Sequence, residues 1–310
     1  MAERYQAVFI SPHLDDAVFS CAGEIARLAR NGPVLVLNIF TRYLSDVKVR
    51  GVVLGDERYQ EERDAAAFLG YESRNLGELD VSFRREAYRS LGNIFRAPVV
   101  EDMAWLPVLR EKLFGELSRI EYDHLYVPLG IGWHVDHVLT YLAFEPWLGR
   151  DGVIHYEDLP YCLIPHATRY RMNDLGLPAR DDPDLSLAPV GTLRAWWQTA
   201  AGYAETAMMK NLKPWIVRQC AVPVVGVYLY RLMSAHRPPA SPAVWRWTPR
   251  VESLGDNFEC KIEAMALYRS QFREFFLDQN DCRASLRHYA GLIHPQCAGL
   301  ERFWQAVRRS

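Results

Sequence analysis

The chain has 310 residues, 49% of them hydrophobic and 24% charged, a globular composition long enough to bury a large core without covalent staples. Its formal net charge of −2 gives no broad basic surface, so nucleic acid is not expected as the main partner. The six cysteines (Cys21, Cys162, Cys220, Cys260, Cys282 and Cys297) are scattered with no C-x-x-C pair, which sets aside a disulfide framework and a thiolate metal site.

In chain order, the N-terminus runs almost at once into the apolar stretch Ala7-Val8-Phe9-Ile10, which predicts a buried strand, and without the charged lead, apolar stretch and small-residue cleavage site of a secretory signal none is expected. A helix is expected over 17–30, where Val18, Cys21, Ala22, Ile25, Leu28 and Ala29 recur at helical spacing. After Pro33 the run 34–40 is apolar throughout, as in a parallel strand covered on both faces. A second helix over 56–69 stops at Gly70. Helices over 107–120 and 136–148 then alternate with strands over 124–127 and 153–156. Between 158 and 190, five prolines mix with aspartates, a loop-rich insertion suited to a lid or specificity surface. The longest apolar segment, 221–233, contains Pro223 and Arg231 and is too short to span a bilayer, so a cytoplasmic protein with no membrane span is expected. A strand over 244–251, helices over 257–276 and 281–291, and a short last helix over 299–307 complete the reading.

Strand–helix alternation predicts an α/β fold: a Rossmann-like parallel sheet with flanking helices, a long lid-like insertion and a helical C-terminal part. The chain divides into a metal-site core at 1–157, an insertion and substrate region at 158–243, and C-terminal strand and helices at 244–310 that pack on the core as one integrated domain.

Two motifs carry chemistry. Ser11-Pro12-His13-Leu14-Asp15-Asp16 follows the first strand, and His134-Val135-Asp136-His137 follows the strand at 124–127 and the glycines of Leu129-Gly130-Ile131-Gly132. In open parallel sheets ligands sit beyond the carboxyl ends of the strands, and both motifs fall on that rim. A catalytic zinc takes three protein ligands and leaves a position for water. His13 and Asp16, a helical turn apart, can point at one spot, with His137 as third ligand. Asp15 is then free to act as general base on the bound water, whose pKa the metal lowers to about 7. His134 can polarise a substrate carbonyl or protonate the leaving amine, and Asp136 can orient a histidine. Iron(II) or cobalt would also suit such donors. The structural alternative is that Asp15 and Asp16 only cap a helix and His13 is a turn histidine. Two motifs with complementary donors on one rim favour the metal. His124, His155, His166, His236, His288 and His294 are read as structural, and tryptophans such as Trp196, Trp197, Trp215, Trp245 and Trp247 as core.

Pro12-His13-Leu14-Asp15-Asp16 with Cys21-Ala22-Gly23 behind it, taken with His134-Val135-Asp136-His137, resembles the PIG-L/LmbE-like family of zinc-dependent N-deacetylases. Arg58-Tyr59-Gln60-Glu61 with Ala65 and Leu69-Gly70 is similar to the family's second helix, and Lys261, Ala264, Tyr268, Ser270 and Gln271 to a helix near its end. The resemblance implies a Rossmann-like fold and hydrolysis of the acetamide of an N-acetyl amino sugar or glycoconjugate. It implies zinc held by His13, Asp16 and His137, Asp15 as base, and His134 stabilising the tetrahedral intermediate. It also implies an arginine on the second helix and an acidic residue in the next loop that bind sugar hydroxyls; Arg58 and Asp80 are the best placed, with Arg63 and Glu78 as alternatives. Leu14 stands where many relatives have proline and Ala17 where many have glutamate, and neither change removes a ligand. Segments 79–107 and 158–248 have no obvious counterpart, which leaves the substrate open.

Other readings remain at this point. A zinc amidase acting on a longer N-acyl chain or a non-sugar amide in specialised-metabolite biosynthesis could use the aromatics after Trp196 and the 221–233 stretch as an acyl trench. A nucleotide-binding oxidoreductase or methyltransferase lacks support, since no G-x-G-x-x-G follows the first strand. A non-catalytic metal-binding protein would close the coordination sphere, whereas only three ligands and a spare base are found. The expected partner is a small N-acetylated sugar or glycoside, and the sequence leaves room for a homo-oligomer.

Overall fold

A computed structural model describes residues 2–44, 55–89, 93–176, 193–204 and 244–308, together with Pro223, Gly226 and Val227. The strands are β1 (Glu3–Ser11), β2 (Val34–Asn38), β3 (Glu72–Asn75), β4 (Ile120–Pro128), β5 (Val153–Tyr156), β6 (Trp245–Ser253) and β7 (Leu300–Arg308). The helices are α1 (Asp16–Ala29), α2 (Glu57–Leu69), α3 (Val81–Arg84), α4 (Val100–Leu117), α5 (Val135–Phe144), α6 (Ala167–Asp174), α7 (Leu193–Ala204), α8 (Asn257–Leu267), α9 (Arg269–Phe275) and α10 (Gln279–Ile293).

The strands form a seven-stranded sheet in the order β3-β2-β1-β4-β5-β7-β6. From β3 to β5 neighbouring strands run parallel. The chain builds outward from β1 to β3, then returns to the other side of β1 with β4. That reversal opens a crevice between the carboxyl ends of β1 and β4, where ligands bind in such sheets. Successive residues of β1 serve opposite cores: Ala7 and Phe9 join the cluster under α1 and α8, while Val8 and Ile10 join the one that holds Leu106, Leu109 and Leu113 of α4. Phe9 stacks on Tyr126 of β4 with ring centroids 4.2 Å apart.

The expected α/β fold is present as a mixed sheet. The segment 299–307, expected as a helix, is the strand β7, antiparallel to β5 and paired along its length with β6. Leu300, Phe303 and Trp304 imitate helical spacing because Glu301 and Arg302 between them are also buried, as salt-bridge partners of Lys261 and Glu157. The last element is therefore a strand, although α8, α9 and α10 make the stretch between β6 and β7 helical. The helix expected at 107–120 starts instead at Val100. Pro107 stays on its exposed side while Leu106, Leu109, Leu113 and Leu117 carry the packing. The long helix expected over 257–276 breaks at Tyr268 (φ −81°, ψ 64°), whose hydroxyl donates to buried Glu62 at 2.5 Å. The polar edge strand β3 was not expected.

Of the insertion at 158–243, residues 177–192 and most of 205–243, including most of the 221–233 stretch, Trp215, Cys220 and His236, lie outside the described residues. Its described helix α6 braces the rim loop, as Arg171 Nε donates to the Leu129 carbonyl at 2.6 Å. Among the described residues no helix is long and apolar enough to cross a membrane, and Cys21, Cys162, Cys260, Cys282 and Cys297 are free thiols.

Candidate active site

The first motif turns off the end of β1. Ser11 Oγ donates to the His13 carbonyl at 2.5 Å and accepts the Ala17 N–H at 3.0 Å, which folds the turn onto the start of α1. Asp15 sits in that turn at φ 140°. The second motif turns off β4 through Gly132 at φ 85°, where a Cβ would run into the Tyr161 ring. Phe95 bridges to His134 across this turn, and the Val135 N–H donates to the Ile94 carbonyl at 2.9 Å.

The two turns meet. His13 Nδ1 lies 3.0 Å from Asp16 Oδ2, and His137 Nε2 lies 3.2 Å from the same oxygen. The far nitrogen of each ring faces another carboxylate: His13 Nε2 is 3.0 Å from Asp136 Oδ2, and His137 Nδ1 is 2.7 Å from Asp158 Oδ1. Asp158 is fixed in turn by the Ile131 N–H at 2.9 Å. His134 closes the group, its ring centroid 4.9 Å from that of His13 and 5.1 Å from that of His137. Its Nδ1 accepts the Asp136 N–H at 3.3 Å at the N-terminus of α5.

The electrostatics ask for positive charge at the centre. Burial works against charge on both rings, yet Asp136 and Asp16 hold His13 well above its ordinary value. For His137 burial is likewise outweighed, chiefly by Asp16 and Asp158, and its pKa is carried up to about 9. Burial would raise Asp16, but His137 and His13 keep it well below the usual carboxylate range. His13 Nδ1 and His137 Nε2 thus converge on a single carboxylate oxygen, Asp16 Oδ2, as donors to a divalent cation would. The donor set of two imidazole nitrogens and a carboxylate, each imidazole backed by an outer carboxylate, fits such an ion. His13, His134 and His137 also bring nitrogens within 4.8 Å of one another. The bond that His134 Nδ1 accepts leaves its proton on Nε2 in the neutral ring, so His134 is suited to donate and not to ligate. Burial and the two neighbouring imidazoles keep it neutral, well below its ordinary pKa. Asp15 is pushed up to about 7, foremost by burial, against the pull of Arg58.

Arg58 Nη2 donates to the Leu14 carbonyl at 3.0 Å and to Asp15 Oδ1 at 3.2 Å. Asp80 Oδ2 lies 3.6 Å from His13 Nε2, and its Oδ1 accepts the Ser82 N–H at 2.8 Å. Arg58 and Asp80 line one small pocket with Leu14, Phe40, Thr41 and Tyr59. The alternatives point elsewhere, Arg63 to exposed Gln60 and Glu78 to Lys112. Every residue singled out in the two motifs thus lies in one buried group. Asp158 and Arg84, which contact it, were not singled out; the signal for Asp158 was its position just past β5, on the same rim.

Residues 8–148 match the family described as PIG-L: GlcNAc-PI de-N-acetylase. A 2'-N-acetylparomamine deacetylase from Streptomyces fradiae is 29% identical over 167 residues, 51% of this chain and 58% of that protein, so the match spans less than two thirds of the relative. A deacetylase crystallised with bog, from the biosynthesis pathway of teicoplanin, has a TM-score of 0.61 at 19% identity over 99% of both chains. The zinc-inhibited form of a teicoplanin deacetylase has a TM-score of 0.60 at 18% identity, again over 99% of both. At these identities the likeness speaks to the fold alone. Both histidine motifs lie inside the stretch that matches the PIG-L family, residues 8–148.

Proposed function

We propose that the chain is a metal-dependent N-deacetylase, with zinc as the metal, that hydrolyses the acetamide of an N-acetyl amino sugar or glycoconjugate. The observation that carries this reading is the meeting of His13 Nδ1 and His137 Nε2 at Asp16 Oδ2, with Asp15 and His134 beside them and not needed as ligands. A zinc ion held by His13, Asp16 and His137 would supply Lewis acidity to water and to the amide carbonyl.

The chain's own groups do the rest. Asp15 is held in place by Arg58 and takes the proton of the attacking water, then returns it to the leaving amine. Neutral His134 offers Nε2–H to the oxyanion that develops on the carbonyl oxygen. Asp136 and Asp158 set the tautomers of His13 and His137. Arg58 and Asp80 are assigned to sugar hydroxyls in the pocket they share. The relative named for 2'-N-acetylparomamine supports an amino sugar as the substrate class.

A second reading, a longer acyl group, is favoured by the aromatic wall beside His134. Phe95 stands edge-on to His134 at 5.5 Å, Tyr161 to Phe95 at 5.9 Å, and Phe275 to Tyr161 at 6.4 Å. The test is release of carboxylic acid from N-acetylated and N-octanoylated sugars and glycosides, before and after chelation. Because a similar fold is known in a zinc-inhibited form, metal is restored at a single equivalent, with cobalt(II) in parallel. Acetate release that stops on chelation and returns with metal is expected. Turnover indifferent to chelation would overturn the metal role, and faster octanoate release would select the second reading.

A further inference from the structure

We infer that Arg84 is a positioning residue for the metal site: anchored on Asp102, it fixes the carboxylate of Asp136, which in turn keeps His13 Nδ1 turned toward the cation. The inference rests on the metal reading above and extends it to a residue outside both motifs.

Arg84 ends the short helix α3, and its side chain is 7% exposed. Its guanidinium joins three parts of the chain. Nη2 donates to Asp136 Oδ1 at 2.7 Å, Nε and Nη2 donate to the two oxygens of Asp102 at 3.2 and 3.3 Å, and Nη1 donates to the Leu79 carbonyl at 2.9 Å. Phe40 and Trp105 wall it in, with the guanidinium carbon 5.0 and 5.7 Å from their ring centroids. Asp102 is fully buried on α4 and also accepts from Arg85 Nε at 3.1 Å. Only a planar fork of several donors can span carboxylates on α4 and α5 together; an ammonium group is a point charge.

The consequence reaches His13 through one intermediate. Asp136 Oδ1 is taken by Arg84, while Oδ2 accepts the Val81 N–H at 3.0 Å and faces His13 Nε2 at 3.0 Å. Held at both oxygens, the carboxylate keeps its plane and its charge. His13 is then constrained to place Nε2–H against it, which leaves the Nδ1 lone pair on the side of Asp16 and His137. Loss of an outer-sphere partner of this kind typically costs about 10–100-fold in metal affinity.

The experiment measures zinc affinity of the metal-free protein by competition with a chromophoric chelator. The visible spectrum of the cobalt(II) form serves as a second readout, and circular dichroism of the metal-free protein as the check on folding. Arg84→Ala is expected to bind zinc about 10–100-fold more weakly and to shift the cobalt bands. Arg84→Lys should recover only part of the affinity. Arg85→Ala, which cuts a bond to the same Asp102 but none to Asp136, should bind as wild type does. If Arg84→Ala does not fold, Arg84→Lys decides: zinc binding as tight as wild type in a folded Arg84→Lys protein overturns the inference. Wild-type protein that binds neither metal overturns the metal reading and this inference with it. Wild type that binds metal while both Arg84 variants bind equally well overturns the inference alone.

Discussion

Asp15 stands at φ 140°, a region that residues with a side chain avoid, and Arg58 spans the strained point by holding both the Leu14 carbonyl and the Asp15 carboxylate. Strain of this sort persists where the surroundings over-determine it, and here it sets a buried carboxylate beside His13, Asp16 and His137, the proposed metal donors. Replacing Asp15 by Asn keeps the shape and removes the proposed base. The proposed donors His13, Asp16 and His137 are untouched, so Asp15→Asn should retain metal while deacetylation falls by about 10²–10⁴-fold. Metal content and acetate release on the same preparation decide this, and an Asn variant that turns over as wild type would strip Asp15 of the role. At this scale the sequence was legible wherever chemistry-bearing residues crowd into a short motif after a strand. Arg84 and Asp158 escaped because each lies outside both motifs beside another charged residue, Arg85 and Glu157, and nothing in the local pattern marks it out. Their parts are defined only by the tertiary contacts with Asp136 and His137.

Helix α1 shows how a distant element can shape the one that carries Asp16, a proposed ligand. It is interrupted at Cys21 (φ −130°, ψ 17°), and Gly23 and Glu24 beyond the break donate their N–H groups to the two oxygens of Glu301 on β7, each at 2.9 Å. Glu301 also pairs with buried Lys261 at 2.7 Å, which donates to the Ser20 carbonyl at 2.8 Å on the other side of the break. Nothing in the spacing of Val18, Cys21, Ala22 and Ile25 signals a kink, since the apolar stripe continues across it. The same clamp hid the strand character of β7, because a salt bridge made Glu301 an inward-facing residue. Glu301→Ala should strand the Lys261 charge and leave two backbone donors without partners. Breaking a buried pair from one side costs about 3–5 kcal/mol, so the denaturant midpoint should drop accordingly. A shift close to zero would mean that water replaces the carboxylate and the clamp is dispensable.

At the scale of the molecule, the site sits where the chain order reverses between β1 and β4, and this much follows from placing both motifs after strands of a parallel sheet. What could not be read was the antiparallel extension, whose pairing joins residues far apart in sequence: His155 of β5 stands opposite Trp304 of β7. His155 marks the joint between the two halves of the sheet. It is buried between Tyr141 of α5 and Trp247 of β6, with ring centroids 5.8 and 5.1 Å away. Burial, reinforced by Arg171, pushes its pKa from 6.5 down to about 3. The sign of the effect follows from proton uptake. Above pH 6.5 the ring is neutral in both folded and unfolded chains and contributes no pH dependence. Between 6.5 and about 3 the unfolded chain binds a proton that the folded one refuses, so stability falls as the pH falls. One such group accounts for up to about 1.4 kcal/mol per pH unit. His155→Phe places an apolar ring of similar size between Tyr141 and Trp247 and removes that proton. Urea unfolding of both proteins between pH 7 and 4 should therefore show a shallower acid decline in the variant, by up to one proton's worth of slope. Parallel declines would show that the joint between β5 and β7 is not where acid acts on this fold.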